Sequence, residues 1–242
     1  MNILLVDYLT KLEHVFEKKS REIYQNPTRR NVHELRVTVR RIRAALWLIK
    51  HGSPRVSFGK LPSSLRILGQ VLGEQRQLDV AIQDATHYDI KTKKLKSLRQ
   101  TTRNLLVSKI DSKHRKKILI KLESAIGKLK YHPELDLTLG LTRLCARLIP
   151  WVRKARISDD ELHELRITAK KARYVLEVFR RPTQPLQKLQ VPLGRGHDLE
   201  VLQELSGKNI KIQSDAVLQY QKARQMIQPA LRFAIKQLRT QN

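Results

Sequence analysis

His33, Arg36, Arg40 and Arg43 are echoed 130 residues later by His163, Arg166, Lys170 and Arg173. Sets of this kind hold anions. The planar arginine fork takes phosphate oxygens two at a time, and lysine adds a point charge. A neutral imidazole can donate one hydrogen bond to a phosphate, and a bound anion favours its protonated form. At helical spacing the first four residues fall within about 80° of one another, while Leu35, Val39, Ile42, Leu46 and Ile49 gather on a separate face. In the second copy the cationic face opposes Leu165, Ala169, Ala172 and Leu176.

No acidic residue lies within either stripe, so neighbours three and four apart repel. An exposed pair costs ~0.2–0.5 kcal/mol, and a partly enclosed pair about 6 Å apart costs closer to ~3 kcal/mol. A helix selected for stability alone would mix its signs. From histidine to last arginine each stripe covers ~15 Å of helix, enough for several phosphates in a row. An extended polyanion fits better than a single phosphate. Each histidine follows a candidate N-cap, Thr28 or Ser158, by five residues, at the helix end whose dipole also favours negative charge.

Those stripes need helices, and the chain supplies them. Glycine and proline number nine each, and the long stretches between them place leucine, isoleucine and the basic residues at helical rather than alternating spacing. The expected class is all-α, with helices over 4–25, 29–51, 61–87, 90–130 with a break near Asp111, 137–156, 159–181, 186–206 and 214–240. Residues 33–49 and 163–179 share seven identities in 17 positions, where roughly one is expected by chance. Thr28 and Ser158 repeat as N-caps, Glu161 stands at the capping-box position, and Gly52 and Pro182 are expected to end the two helices. A weaker match sets residues 72–80 (LGEQRQLDV) against 193–201 (LGRGHDLEV) at an offset of 121. Two pieces repeating in order argue for duplication of a helical unit, with halves at 1–130 and 131–242.

Composition agrees with a polyanionic partner. The 242 residues carry 49 Lys+Arg against 22 Asp+Glu, a formal charge of +27. By size scaling that is one uncompensated cation per ~400 Å² of surface. Apolar residues at 40% suffice for a core, so the charge belongs to folded elements rather than to a disordered tail. Cys145 is the single cysteine, which excludes an intrachain disulfide framework and a four-thiolate zinc site and fits an inert core residue in a reducing compartment. The opening MNILLV has no cationic flank, and no apolar run nears the ~18 residues of a membrane span.

The motif H-x-L-R-V-x-x-R-R-x-R at 33–43, its counterpart H-x-L-R-I-x-x-K-K-x-R-Y-x-x-E at 163–177, and the later LG-x-x-R-x-LD and LG-x-x-HDLE segments resemble the signature of the CHAD domain, the conserved histidine α-helical domain. The resemblance covers nearly the whole chain in order. It implies two four-helix bundles related by pseudo-twofold symmetry, with a basic channel between them that binds inorganic polyphosphate. Carried over residue by residue, the phosphate contacts are His33, Arg36, Arg40, Arg43, His163, Arg166, Lys170 and Arg173. Arg41 and Lys171 also match, but they point about 120° from the stripe centre and rank lower. Gln77 stands where the family pattern has an acid near Arg76, and Pro192 and Gly196 weaken the helix over 186–206. Asp79, Asp198 and Glu200 read as residues that orient nearby arginine or histidine.

No catalytic residue is assigned, and no metal or cofactor is called for. His197-Asp198 resembles the pair of metal phosphohydrolases, but two residues do not hold a metal. His33-Glu34 has no histidine at i+4, and no P-loop glycine pattern occurs. The triphosphatase strand that often accompanies the CHAD family is missing. The rival reading is an RNA- or DNA-binding basic helical protein, because counterion release looks alike for every polyphosphate backbone. Aromatics at 5%, with only Trp47 and Tyr174 near the stripes, offer no array for stacking bases. An enzyme acting on short phosphates lacks a nucleophile or base. The expected partner is inorganic polyphosphate, with nucleic acid as competitor and no membrane. The chain is monomeric or homodimeric, and it is cytoplasmic, free or on polyphosphate granules.

Overall fold

The computed structural model describes residues 2–131 and 135–240. Among them the chain is all-α: α1 (Asn2–Gln25), α2 (Arg29–Gly52), α3 (Leu61–His87), α4 (Lys93–Lys109), α5 (Ser112–Lys130), α6 (Thr138–Arg153), α7 (Asp159–Val178), α8 (Gln184–Ser206) and α9 (Ile210–Arg239). No described helix is long and apolar enough to cross a membrane. The described chain packs as two compact units, Met1–Ile82 with Thr92–Leu137, and Gln83–Lys91 with Thr138–Asn242.

In the first unit the apolar face of α2 does what its spacing requires. Leu35, Val39, Ile42 and Ile49 are fully buried and Leu46 nearly so, with α1 packed against α2 and α5 against α1. Leu9, Phe16 and Ile23 of α1 are also completely enclosed. Burying five such aliphatic side chains on one helix stabilises it by roughly 1.5–3 kcal/mol each, and so fixes which face of α2 is left for the cations. At its start the Thr28 hydroxyl accepts from the Asn31 amide at 3.2 Å. Gly52 closes the helix for a reason other than a left-handed cap. A Cβ there would lie 2.6 Å from the Asp136 carbonyl oxygen, to which the Ser53 hydroxyl donates at 3.0 Å.

The second unit is built the same way around α7, whose Leu165, Ala169, Ala172 and Leu176 are fully buried. Its smaller side chains admit a polar tie, as Gln190 Nε2 of α8 donates to the Ala169 carbonyl at 3.2 Å. The Ser158–Glu161 capping box forms with both reciprocal bonds. Helix α7 stops at Val178, three residues short of expectation, because Arg180 turns left-handed at φ 53° before Pro182 is reached. Helix α9 begins at Ile210, four residues early, because Asn209 accepts from the Lys211 and Ile212 amides. That cap lacks the acidic partner that makes such positions readable in sequence.

Helix α8 runs from Gln184 to Ser206 through Pro192 without interruption. Gly196 is there for space. A Cβ would sit 2.4 Å from Tyr220 Cε1 of α9, so the absent side chain lets the two helices close on each other. The 83–91 segment is bound into this unit through Tyr88, whose hydroxyl donates to Asp215 Oδ2 at 2.7 Å, and through the Arg195–Asp84 ion pair. Burial, and next the bond to Asp215, push the Tyr88 phenol up to about 12.

Candidate anion-binding site

In the first unit His33 and Arg43 are exposed, while Arg36 and Arg40 are part-buried. All four follow from the burial of Leu35, Val39 and Ile42 on the opposite side of α2. Glu34, the acid nearest the stripe in sequence, is engaged elsewhere. Lys19 Nζ approaches it at 2.7 Å and Arg30 Nε at 2.9 Å, and these bonds hold its carboxyl below the usual range. The charges that act on Arg43 are cations. Arg40 and Arg43 have no ion pair among the described residues, and the Arg43 guanidinium is lowered by partial enclosure and then by Arg40 and Arg66. Its Nη1 lies 3.3 Å from where a Cβ on Gly69 would stand, so glycine makes room for it beside α3. The His33 imidazole is lowered first by desolvation, then by Arg76 and Arg36, with Glu34 opposing and Arg40 adding the smallest effect.

Crowding like charges this way costs free energy unless an anion relieves it. Two residues of α3 therefore join the stripe. Arg76 matches the LG-x-x-R segment and could have been found from the weaker repeat, whereas Arg66 leaves no sequence signal.

In the second unit His163 is exposed, Lys170 and Arg173 are part-buried, and Arg166 is buried at 8% exposure. This face is less purely cationic than the sequence suggests. Arg173 Nε lies 3.5 Å from Glu177 Oε1 and its guanidinium covers the Tyr174 ring at 4.6 Å. A carboxylate also reaches the histidine end from α8. His163 and His197 rings are 5.3 Å apart, and His197 Nδ1 is 3.8 Å from Glu200 Oε2. Desolvation lowers His163, reinforced by Arg166 and His197 and opposed by Glu200. Burial raises the Glu200 carboxyl, but the nearby His197, the hydrogen bond from Tyr220 and the His163 ring together outweigh it and leave the group below its ordinary value. Burial and the bond to Glu200 drive the Tyr220 phenol well above its ordinary range. The expectation of a stripe free of carboxylates thus holds for Arg40 and Arg43 and fails at Arg173 and His163. Glu177 lies one turn beyond the stripe, and Glu200 arrives from another helix.

Arg41 and Lys171 are part-buried. Asp79 is 2% exposed, with Arg99 Nε at 3.1 Å and Arg29 Nε at 3.9 Å. Burial raises its carboxyl despite these cations, and its contacts are those of a residue that fixes arginines in place. Neither aromatic near the stripes is disposed for stacking a base. Tyr174 is 4% exposed, and Trp47 stacks on His51 at 4.2 Å between ring centres. Cys145 is buried and free, with burial raising its thiol. Among the described residues no three His, Cys, Asp or Glu side chains group as a metal site.

The CHAD domain family model matches residues 9–207, a span that contains both stripes and both LG segments. The chain belongs to the CHAD domain family. Its fold is similar to the crystal structure of the CHAD domain from the plant Ricinus communis, with a TM-score of 0.70 at 21% identity, covering 100% of this chain and 92% of that one. It is also similar to PptA from Streptomyces chartreusis, with a TM-score of 0.50 at 13% identity, covering 100% of this chain and 99% of that one. No curated protein sequence matches the chain. At these identities the two solved structures establish the fold of this CHAD chain alone.

Proposed function

We propose that this CHAD domain binds inorganic polyphosphate without transforming it, through His33, Arg36, Arg40 and Arg43 of α2 and His163, Arg166, Lys170 and Arg173 of α7. The observation that carries the reading is the gathering of Arg40, Arg43 and Arg66, in which burial first and then the two neighbouring cations lower the Arg43 guanidinium, with no ion pair on Arg40 or Arg43 among the described residues. A repeating monoanionic chain relieves that repulsion along the ~15 Å of each stripe. Family membership supports the same ligand.

Sequence-specific nucleic acid is a poorer fit, because base readout needs stacking platforms and Tyr174 and Trp47 are already enclosed or stacked. Roles in the cell follow from the ligand: the protein belongs where polyphosphate accumulates, in cytoplasm or on its granules. Calorimetric titration of long-chain polyphosphate against mixed-sequence RNA of equal charge tests the reading. Tighter binding of polyphosphate is expected. Equal or tighter binding of RNA overturns it.

A further inference from the structure

Two of the differences between the halves fall at charged positions that the weaker repeat makes equivalent. With the offset of 121, Arg76 of α3 corresponds to His197 of α8, and Asp79 to Glu200. Arg76 and His197 each act on the leading histidine of their own unit. Arg76 is the charge that acts most strongly on His33, and the His197 ring stands 5.3 Å from that of His163. Arginine is charged at every accessible pH, whereas histidine changes charge between about pH 5 and 8.

The acids have diverged with them. Asp79 faces Arg99 and Arg29, while Glu200 faces His197 at 3.8 Å and is bonded by Tyr220 of α9. That arrangement fixes one side of the His197 ring and places a negative charge where a second imidazolium would otherwise be opposed.

Resting on the polyphosphate reading above, we propose that His197 is a further phosphate contact of the second unit and that the His163–His197 pair makes that unit's site proton-gated, whereas Arg76 gives the first unit's equivalent site permanent charge. Helix α8 packs on α7 and α9, and the groups facing the pair come from all three. Arg166 and Lys170 of α7 disfavour a proton on His163, as does His197 itself, and Glu200 of α8 favours one. Tyr220 of α9, itself subject to Arg166 and Asp159, divides the Glu200 charge. Helix α6, which also packs on α7, contributes none of these groups. A charge on His197 disfavours a proton on His163 across the 5.3 Å between the rings, so both rings carry charge readily only when an anion lies across them. Polyphosphate supplies that anion, and its binding draws protons in.

The test is calorimetry of long-chain polyphosphate from pH 6 to 8 in buffers of different ionisation enthalpy, which counts protons taken up on binding. H197R copies the first unit, and uptake is expected to fall by about one proton, with affinity at pH 8 raised and its pH dependence flattened by about tenfold per pH unit. R76H makes the reverse exchange and is expected to add about one proton. Histidine NMR of the unaltered protein gives a measurement that no variant's folding can confound. The His163 ring, held low in the free protein, is expected to titrate at higher pH with polyphosphate than without. Unchanged proton uptake in H197R, or a His163 midpoint indifferent to polyphosphate that still binds, overturns the gate while leaving the ligand standing. Failure of the unaltered protein to bind polyphosphate at any pH removes both.

Discussion

Replacing Arg43 by glutamine should strengthen the fold and weaken the site together. Arg43 is exposed, its neighbouring charges Arg40 and Arg66 are both cations, and it makes no ion pair among the described residues. A like-charged pair at ~6 Å costs about 0.7 kcal/mol in water and ~2.8 kcal/mol at an effective dielectric near 20. Solvent exposure puts Arg43 near the lower figure, so relief from two neighbours is worth ~0.5–1.5 kcal/mol. In a chain of this length that raises the melting temperature by roughly 1–6 °C. Binding moves the other way, because a hydrogen bond to a charged group contributes ~1.5 kcal/mol or more, about tenfold in affinity. One fewer neutralised phosphate lowers the slope of log K against log salt by ~0.7–0.9. Thermal unfolding by circular dichroism and calorimetric titration between 50 and 200 mM salt read both quantities. An Arg43→Gln protein that is less stable than the original, or that keeps full polyphosphate affinity and salt slope, would refute the idea that α2 sacrifices stability to hold an anion.

Lowered His33 and His163 set a sign for pH. The free protein favours the neutral rings and an anion favours the charged ones, so affinity should rise as pH falls from 8 to 6, and His33→Ala with His163→Ala should flatten that rise. The same shifts make the ligand-free fold lose stability as pH drops through the usual histidine range near 6.5, which unfolding at pH 5.5 and 7.5 checks. Charge reversal at Arg40 and Lys170 together should weaken polyphosphate binding by two orders of magnitude or more, about 3 kcal/mol for two charged contacts, with a shallower salt dependence. Gly196→Ala forces a Cβ to within 2.4 Å of the Tyr220 ring, and an overpacking loss of ~1–3 kcal/mol should appear in denaturant unfolding. Asp79→Ala strips Arg99 of a partner at 3.1 Å and should cost ~1–3 kcal/mol, measured by the same unfolding experiment.

Several parts of this protein could be read without coordinates because they depend on neighbours within one helical turn. Leu35, Val39, Ile42 and Ile49 recur at helical spacing, and all are buried. Ser158 and Glu161 form the expected box, and the stripe of α2 follows from what its opposite face must bury. Reading failed where the deciding atom lay far along the chain. Nothing local to Gly52 announces the Asp136 carbonyl, and nothing near Gly196 announces the Tyr220 ring. Pro192, read as a weak point, sits inside an unbroken α8.

The site divides on the same line. Local spacing established that two basic faces exist and that they are built of mutually repelling cations, since charge and helical periodicity are properties of short stretches. The Arg173–Glu177 pair is likewise local, four residues apart on α7, but which other charges crowd each cation is a matter of contacts between helices. Only folding could bring Arg66 to Arg43, Glu200 to His163 and His197 to His163, because electrostatic interaction falls with distance through space and takes no account of distance along the chain.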